Sequence, residues 1–330
     1  MANELIKLAA SYIGSNTGIS IPLPTNSTLS SGICTDRSGN VYIADADQHV
    51  IYKVDLAGIK TLLAGKEGTS GSANGACLDA RFNSPRGLAC DASGNLYVAD
   101  TGNGKIRVID LGNKVSTLVG GFSNLTDVTV ASNGNIIAVD TDEHAIYRIE
   151  PGGRKFLAAG GTSGDVSGVK GSAARFNSPE AVAVAADGRI YVADTGNHKI
   201  KVIEADGLVT VVTGGASGDV DGNKTTARIT SPADLAITPK GNRMFILDKI
   251  PGHHKVKVVT MNGHVETVAE ITSDDVIALT VDVNETLYFV TSDEAGIISG
   301  EESSSSQSSL NSSSSSESSE SSESSVSSQT

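Results

Sequence analysis

The sequence predicts an all-β ring of six four-stranded units, a β-propeller, and three observations carry that prediction. First, the segment RFNSPRGLACDASGNLYVADTGNGKIRVID at Arg81–Asp110 returns nearly unchanged as RFNSPEAVAVAADGRIYVADTGNHKIKVIE at Arg175–Glu204. A fixed period is the signature of a repeat architecture and has to be read before any motif. Second, each copy divides into short β-rich runs separated by Gly- and Asn-bearing turns, where positive φ costs little. Third, the chain has 36 glycines and no tryptophan, which suits many short strands and tight turns. No segment has the 3.6-residue period and caps of a helical solenoid.

Taken in order, the units are as follows. The first lies in 27–65 and contains GICTDRSGNVYIADADQHVIYKVDLAGIKTLLAG. The second supplies runs at 87–91, 96–100, 105–110 and 115–119, joined by ASGN, TGNG and LGN. The third, within 122–161, reads DVTVASNGNIIAVDTDEHAIYRIEPGGRKFLAAGG; the fourth is the close repeat at Arg175–Glu204. The fifth, within 229–270, reads DLAITPKGNRMFILDKIPGHHKVKVVTMNGHVETVAE. The sixth begins at Ile271 and runs out of apolar sequence one strand early. The stretch LIKLAAS (Leu5–Ser11) resembles the last strands RKFLAAG and IKTLLAG, so the N-terminus is expected to complete the sixth blade, hide its edge and close the ring.

Two domains follow: a propeller over 1–300 and a Ser/Glu-rich tail over 301–330. The tail holds Leu310 and Val326 as its only apolar residues, too little to offset its ordering entropy, and disorder is expected.

The formal charge is −13. The tail contributes Glu301, Glu302, Glu317, Glu320 and Glu323 and no base, which leaves −8 on the propeller. A phosphate backbone would be repelled, so no nucleic-acid partner is expected. Cys34, Cys77 and Cys90 have no CxxC spacing and read as small core or loop residues. No run approaches the roughly 20 apolar residues of a membrane span, and the first residues make a poor signal peptide. A soluble protein, cytoplasmic at synthesis, is the expectation, with a virion or cell-surface assembly compatible with the tail.

The motifs FNSPRGLA, GNLYVADTGN and KIRVI, with FNSPEAVA, GRIYVADTGNHKIKVI, TLVGG and TVVTGG, resemble NHL repeats. The resemblance implies an NHL-type propeller. It does not choose an activity, because function resides in sites carried by a fold.

Residues present in nearly every unit are expected to be framework. Asp45, Asp100, Asp140, Asp194 and Asp248 end the second strand, where a carboxylate is expected to accept hydrogen bonds from the backbone of the following turn. Arg81, Arg175 and Arg228 precede three units and read as packing between blades. His49, His144 and His198 share one position and invite a zinc reading. They stand at the outer start of the third strand, however, whereas the similar amidating lyases place histidines at blade starts, here NSP, SNL and TSP. Gly-x-Ser-x-Gly, P-loop and His-Glu-x-x-His patterns are absent.

Departures from the repeat are the candidate site. The long connections 66–84, 162–178 and 216–231 crowd one face, and the starts of the inner strands line the channel mouth there. Asp127, Glu180, Asp234 and Asp275 are expected at that mouth, with Arg86 facing them. Such carboxylates are candidate ligands for Ca²⁺ or another divalent ion, and six-bladed lactonase-like enzymes resemble the arrangement. No other cofactor is expected. The GDVDGN run at 218–223 lacks the spacing of a calcium loop, and PGHHK at 251–255 makes His253 and His254 contact-loop candidates. Two functions follow: a non-enzymatic binding or structural propeller meeting a protein or glycan through the long-connection face, or a metal-dependent hydrolase or lyase at the mouth.

Overall fold

The computed structural model describes residues 20–22, 30–271, 276–291 and 294–298. The Ser-rich tail and Leu5–Ser11 lie outside them.

Asp36 and Asp91 show why the hairpins form where they do. Each carboxylate accepts the N–H of the residues two and four positions on, Ser38 and Asn40 or Ser93 and Asn95. Gly39 and Gly94 occupy the left-handed region inside these turns, at φ 83° and 93°. The alternating strands on either side are thereby set in register.

Five blades follow one another along the chain. Blade I comprises Ser30–Thr35, Val41–Asp45, Val50–Val54 and Lys60–Gly65. Blade II comprises Pro85–Cys90, Leu96–Asp100, Lys105–Ile109 and Lys114–Gly120. Blade III has Leu125–Val130, Ile136–Asp140, Ala145–Ile149 and Lys155–Gly160. Blade IV has Ala181–Val184, Ile190–Asp194, Lys199–Ile203 and Leu208–Gly214, and blade V has Pro232–Ile237, Arg243–Ile250, His253–Thr260 and Val265–Ile271. The connections into blades II and IV each add a short fifth strand, Gly75–Ala76 and Val169–Lys170.

The expectation of six consecutive blades is therefore corrected to five. A further sheet is assembled from the two chain ends: Val276–Val281, Leu287–Thr291 and Glu294–Ile298, with Ser20–Pro22 antiparallel to the last of these. The N-terminal strand described in this closing sheet is Ser20–Pro22.

The core is divided among the seams. Six hydrophobic clusters each join two neighbouring sheets, as Phe82 and Val98 do with Ala44 and Ile51 between blades II and I. The closing sheet shares Leu279, Leu287 and Phe289 with blade V, and Ala278 and Val290 with blade I. Apolar burial is thus the force that holds each sheet to the next.

Candidate functional site at the channel mouth

The inner strands wall a central cavity of about 220 Å³, lined by Gly32, Gly87, Thr126, Asp127, Glu180 and Asp234 among others. Most inner strands carry a register shift at their first residues: between Ser30 and Gly32, Pro85 and Leu88, Leu125 and Asp127, and Pro232 and Asp234. Such a bulge re-aims the following side chain. It turns Asp127 and Asp234 sideways, along the ring.

Asp127 accepts the N–H of Val128 at 2.8 Å and, across the seam, that of Val182 in blade IV at 2.9 Å. Asp234 accepts from Leu235 at 2.8 Å and from Leu279 of the closing sheet at 2.6 Å. Each carboxylate therefore fastens two adjacent inner strands. The strands approach closely: a Cβ on Gly87 would stand 2.4 Å from Asp127 Oδ1, and one on Gly32 2.3 Å from the Arg86 carbonyl. Only glycine fits there.

Burial in the channel wall raises the Asp127 carboxyl well above the usual range, and the Asp234 charge adds to that rise. Asp234 is pushed up to about 7, mainly by burial, against the pull of its two N–H donors. Glu180 is raised by burial and lowered by the charges of Lys249 and Arg86. Arg86 itself is exposed at the rim. The structure thus gathers Asp127, Glu180 and Asp234 at one mouth with Arg86 nearby, while Asp275 lies outside the described residues.

Lys249 is a mouth residue that the sequence reading missed. Its position, just after the framework aspartate, holds Thr101, Thr141 and Thr195 in blades II–IV. Those threonines donate to the carbonyls of Leu125, Pro179 and Pro232 in the next blade. Blade V has a lysine instead, a departure visible in the alignment.

Among the described residues no group of three or more His, Cys, Asp or Glu side chains is arranged to hold a metal ion. The Asp127 and Asp234 oxygens are turned to backbone donors.

The framework aspartates accept backbone N–H groups, but mostly not from the following turn as expected: among the described residues only Asp45 and Asp140 are seen to take a turn amide, from Gln48 and Glu143. Asp100, Asp140, Asp194 and Asp248 accept N–H groups from Asn83, Asn124, Asn177 and Ser231 at the entry to their own blades. His49 and His144 accept from the N–H of Ser84 and Ser178 in the next connection, and His198 Nδ1 meets the Thr230 carbonyl. These histidines join blades rather than ligate.

The third strands hold three buried cations that the sequence reading also passed over. Arg107 bonds Asp100 at 2.7 Å together with the carbonyls of Ala73 and Arg81. Lys201 reaches Asp194 at 2.7 Å, Asp165 at 2.9 Å and the Arg175 carbonyl. Lys257 bonds Asp219 and Asp221, and Lys255 adds a second ion pair to Asp219. The carboxylates of GDVDGN are consequently occupied by lysines. Each cation folds a long connection over its own blade.

PGHHK forms the tip of a longer hairpin, with Ile250 opposite His253. His254 is buried, at 7% exposure, so its expected role as a contact residue is corrected; His253 stays partly exposed beside Glu270.

The NHL repeat family profile matches residues 176–203, and that of the SMP-30/Gluconolactonase/LRE-like region matches 9–129. The chain is 26% identical to "Protein SUPPRESSOR OF QUENCHING 1, chloroplastic" of Arabidopsis thaliana over 74% of its own length and 33% of that protein. It is also 26% identical to "NHL repeat-containing protein 2" of Gallus gallus, over 72% of this chain and 39% of the relative. The chain thus spans about a third of the length of these relatives. Among solved structures, a gluconolactonase from Xanthomonas campestris superposes with TM-score 0.62 at 15% identity, covering 88% of this chain and 93% of that one. Catalytically inactive virginiamycin B lyase from Staphylococcus aureus gives 0.58 at 16%, covering 85% and 98%. At such identities the likeness is one of fold.

Proposed function

We propose that the chain, an NHL-repeat β-propeller, works as a non-enzymatic binding module. It meets a protein or glycan through the face carrying the long connections. One observation carries this reading: Asp127 and Asp234, the carboxylates best placed for chemistry, are engaged in fastening neighbouring strands. The connections above them are held rigid by buried cations and present polar, exposed surface, a combination suited to recognition.

A second reading, a hydrolase or lyase at the channel mouth, is supported by the match to the SMP-30/Gluconolactonase/LRE-like region and by the gathering of three carboxylates. Two assays separate the readings. Protein purified without chelators is tested for bound divalent ions and for metal-dependent lactone or ester hydrolysis. It is then probed on glycan and protein arrays beside Lys66→Glu/Lys170→Glu/Lys224→Glu, three exposed lysines of the long connections. The binding reading predicts neither stoichiometric metal nor turnover, and array signals lost in the triple variant. Turnover abolished by chelator would overturn it, as would array signals indifferent to the three changes.

A further inference from the structure

Cys34 and Cys90 are distant in sequence and lie on the inner strands of blades I and II, with their sulfurs 3.3 Å apart. The pair spans the seam between two blades, at the end of the channel opposite the carboxylates. Cys90 lines a separate cavity of about 510 Å³ there, walled by Asp36, Asp91, Val130 and Asp282. Cys90 is partly exposed, and Cys34 stands behind it at 6% exposure. A small reagent entering this cavity therefore meets Cys90 first, with Cys34 in place to attack it.

We propose that Cys34 and Cys90 form an oxidative modification site whose substrate is a low-molecular-weight disulfide and whose product is a bond stapling blade I to blade II. The Cys90 thiolate attacks one sulfur of the small disulfide, giving a mixed disulfide and releasing one thiolate. The Cys34 thiol loses its proton to solvent and attacks the Cys90 sulfur, which expels the second small thiolate. Two protein thiols are oxidised and one small disulfide is reduced to two thiols. The sulfurs must close from 3.3 Å to about 2.05 Å, a movement within reach of side-chain rotation. Burial raises the Cys34 thiol well above its ordinary value, which makes the exposed partner the point of entry.

The bond would tie together strands already in contact, since Gly32 and Gly87, two and three positions before the cysteines, meet at the mouth. Cys77, buried in the same hydrophobic cluster, is an internal reference.

The test incubates the full chain with oxidised glutathione, then counts thiols under denaturing conditions and maps peptides without reduction. The expected result is a fall from three free thiols to one, a mass lower by two hydrogens, a Cys34–Cys90 peptide and a raised thermal midpoint that reduction reverses. Cys90→Ser should keep Cys34 and Cys77 as thiols. A lasting glutathione adduct on Cys90, a link through Cys77, or three thiols unchanged would each overturn the proposal.

Discussion

At the channel mouth, Asp234 holds the amides of Leu235 and Leu279 while Asp127 holds those of Val128 and Val182. Burial opposes the two N–H donors at each carboxyl and wins, so both groups are raised. The Asp234 carboxyl titrates at about 7 in the fold and near ~3.9 in the unfolded chain. The folded state therefore holds the proton more tightly, and this group's contribution to stability is full below about pH 4 and lost as pH rises through 7. Urea unfolding from pH 5 to 8 should show wild type losing stability relative to Asp234→Asn as pH rises. A constant difference between the two would contradict the assignment. Both aspartates were legible as mouth residues from the repeat alignment alone. Their direction was not, because a bulge shifts the alternation by one residue and no sequence feature marks it.

At the scale of the element, the third strands of blades II, IV and V do more than complete a sheet. KIRVI, KIKVI and KVKVV each bury a cation, and Arg107, Lys201 and Lys257 are wholly enclosed. The second charge in each strand is covered by a connection that arrives from the preceding blade, so strand alternation alone cannot place it indoors. Blades I and III carry Tyr52 and Tyr147 at the same position, bonded to Glu67 and Glu143. Buried charges are costly to strand, since loss of one partner leaves the other without compensation. Lys201→Met removes the partner of Asp194, whose carboxyl burial already pushes up. Chemical denaturation should show a loss of about 3–5 kcal/mol, with increased proteolysis within 162–178; a change below about 0.5 kcal/mol would be the behaviour of an ordinary surface site.

Over the whole molecule, stability is distributed over seams, with one hydrophobic cluster between each pair of neighbouring sheets. The repeat made the blades legible almost strand for strand: the runs expected at 96–100 and 105–110 appear as Leu96–Asp100 and Lys105–Ile109. The described N-terminal strand of the closing sheet, Ser20–Pro22, is one the repeat did not mark. Leu5–Ser11 copies the composition of an outer strand, whereas Ser20–Pro22, which pairs with Glu294–Ile298, resembles none. A three-residue edge strand is recruited by proximity to an open sheet edge, and proximity leaves no pattern to read. The same distributed architecture explains why mouth carboxylates can be structural: each seam needs polar fastening at its inner end, where apolar contacts give way to the channel.

That claim is tested most directly by the urea unfolding free energy of Asp234→Ala beside wild type at pH 6, where the native carboxyl is largely protonated. Removing it strands the amides of Leu235 and Leu279, and an unsatisfied buried donor costs about 1–3 kcal/mol. For the two donors together the account predicts a loss of about 2–6 kcal/mol. Stability unchanged within about 0.5 kcal/mol would contradict it and would return Asp234 to the candidates for ligand or catalyst.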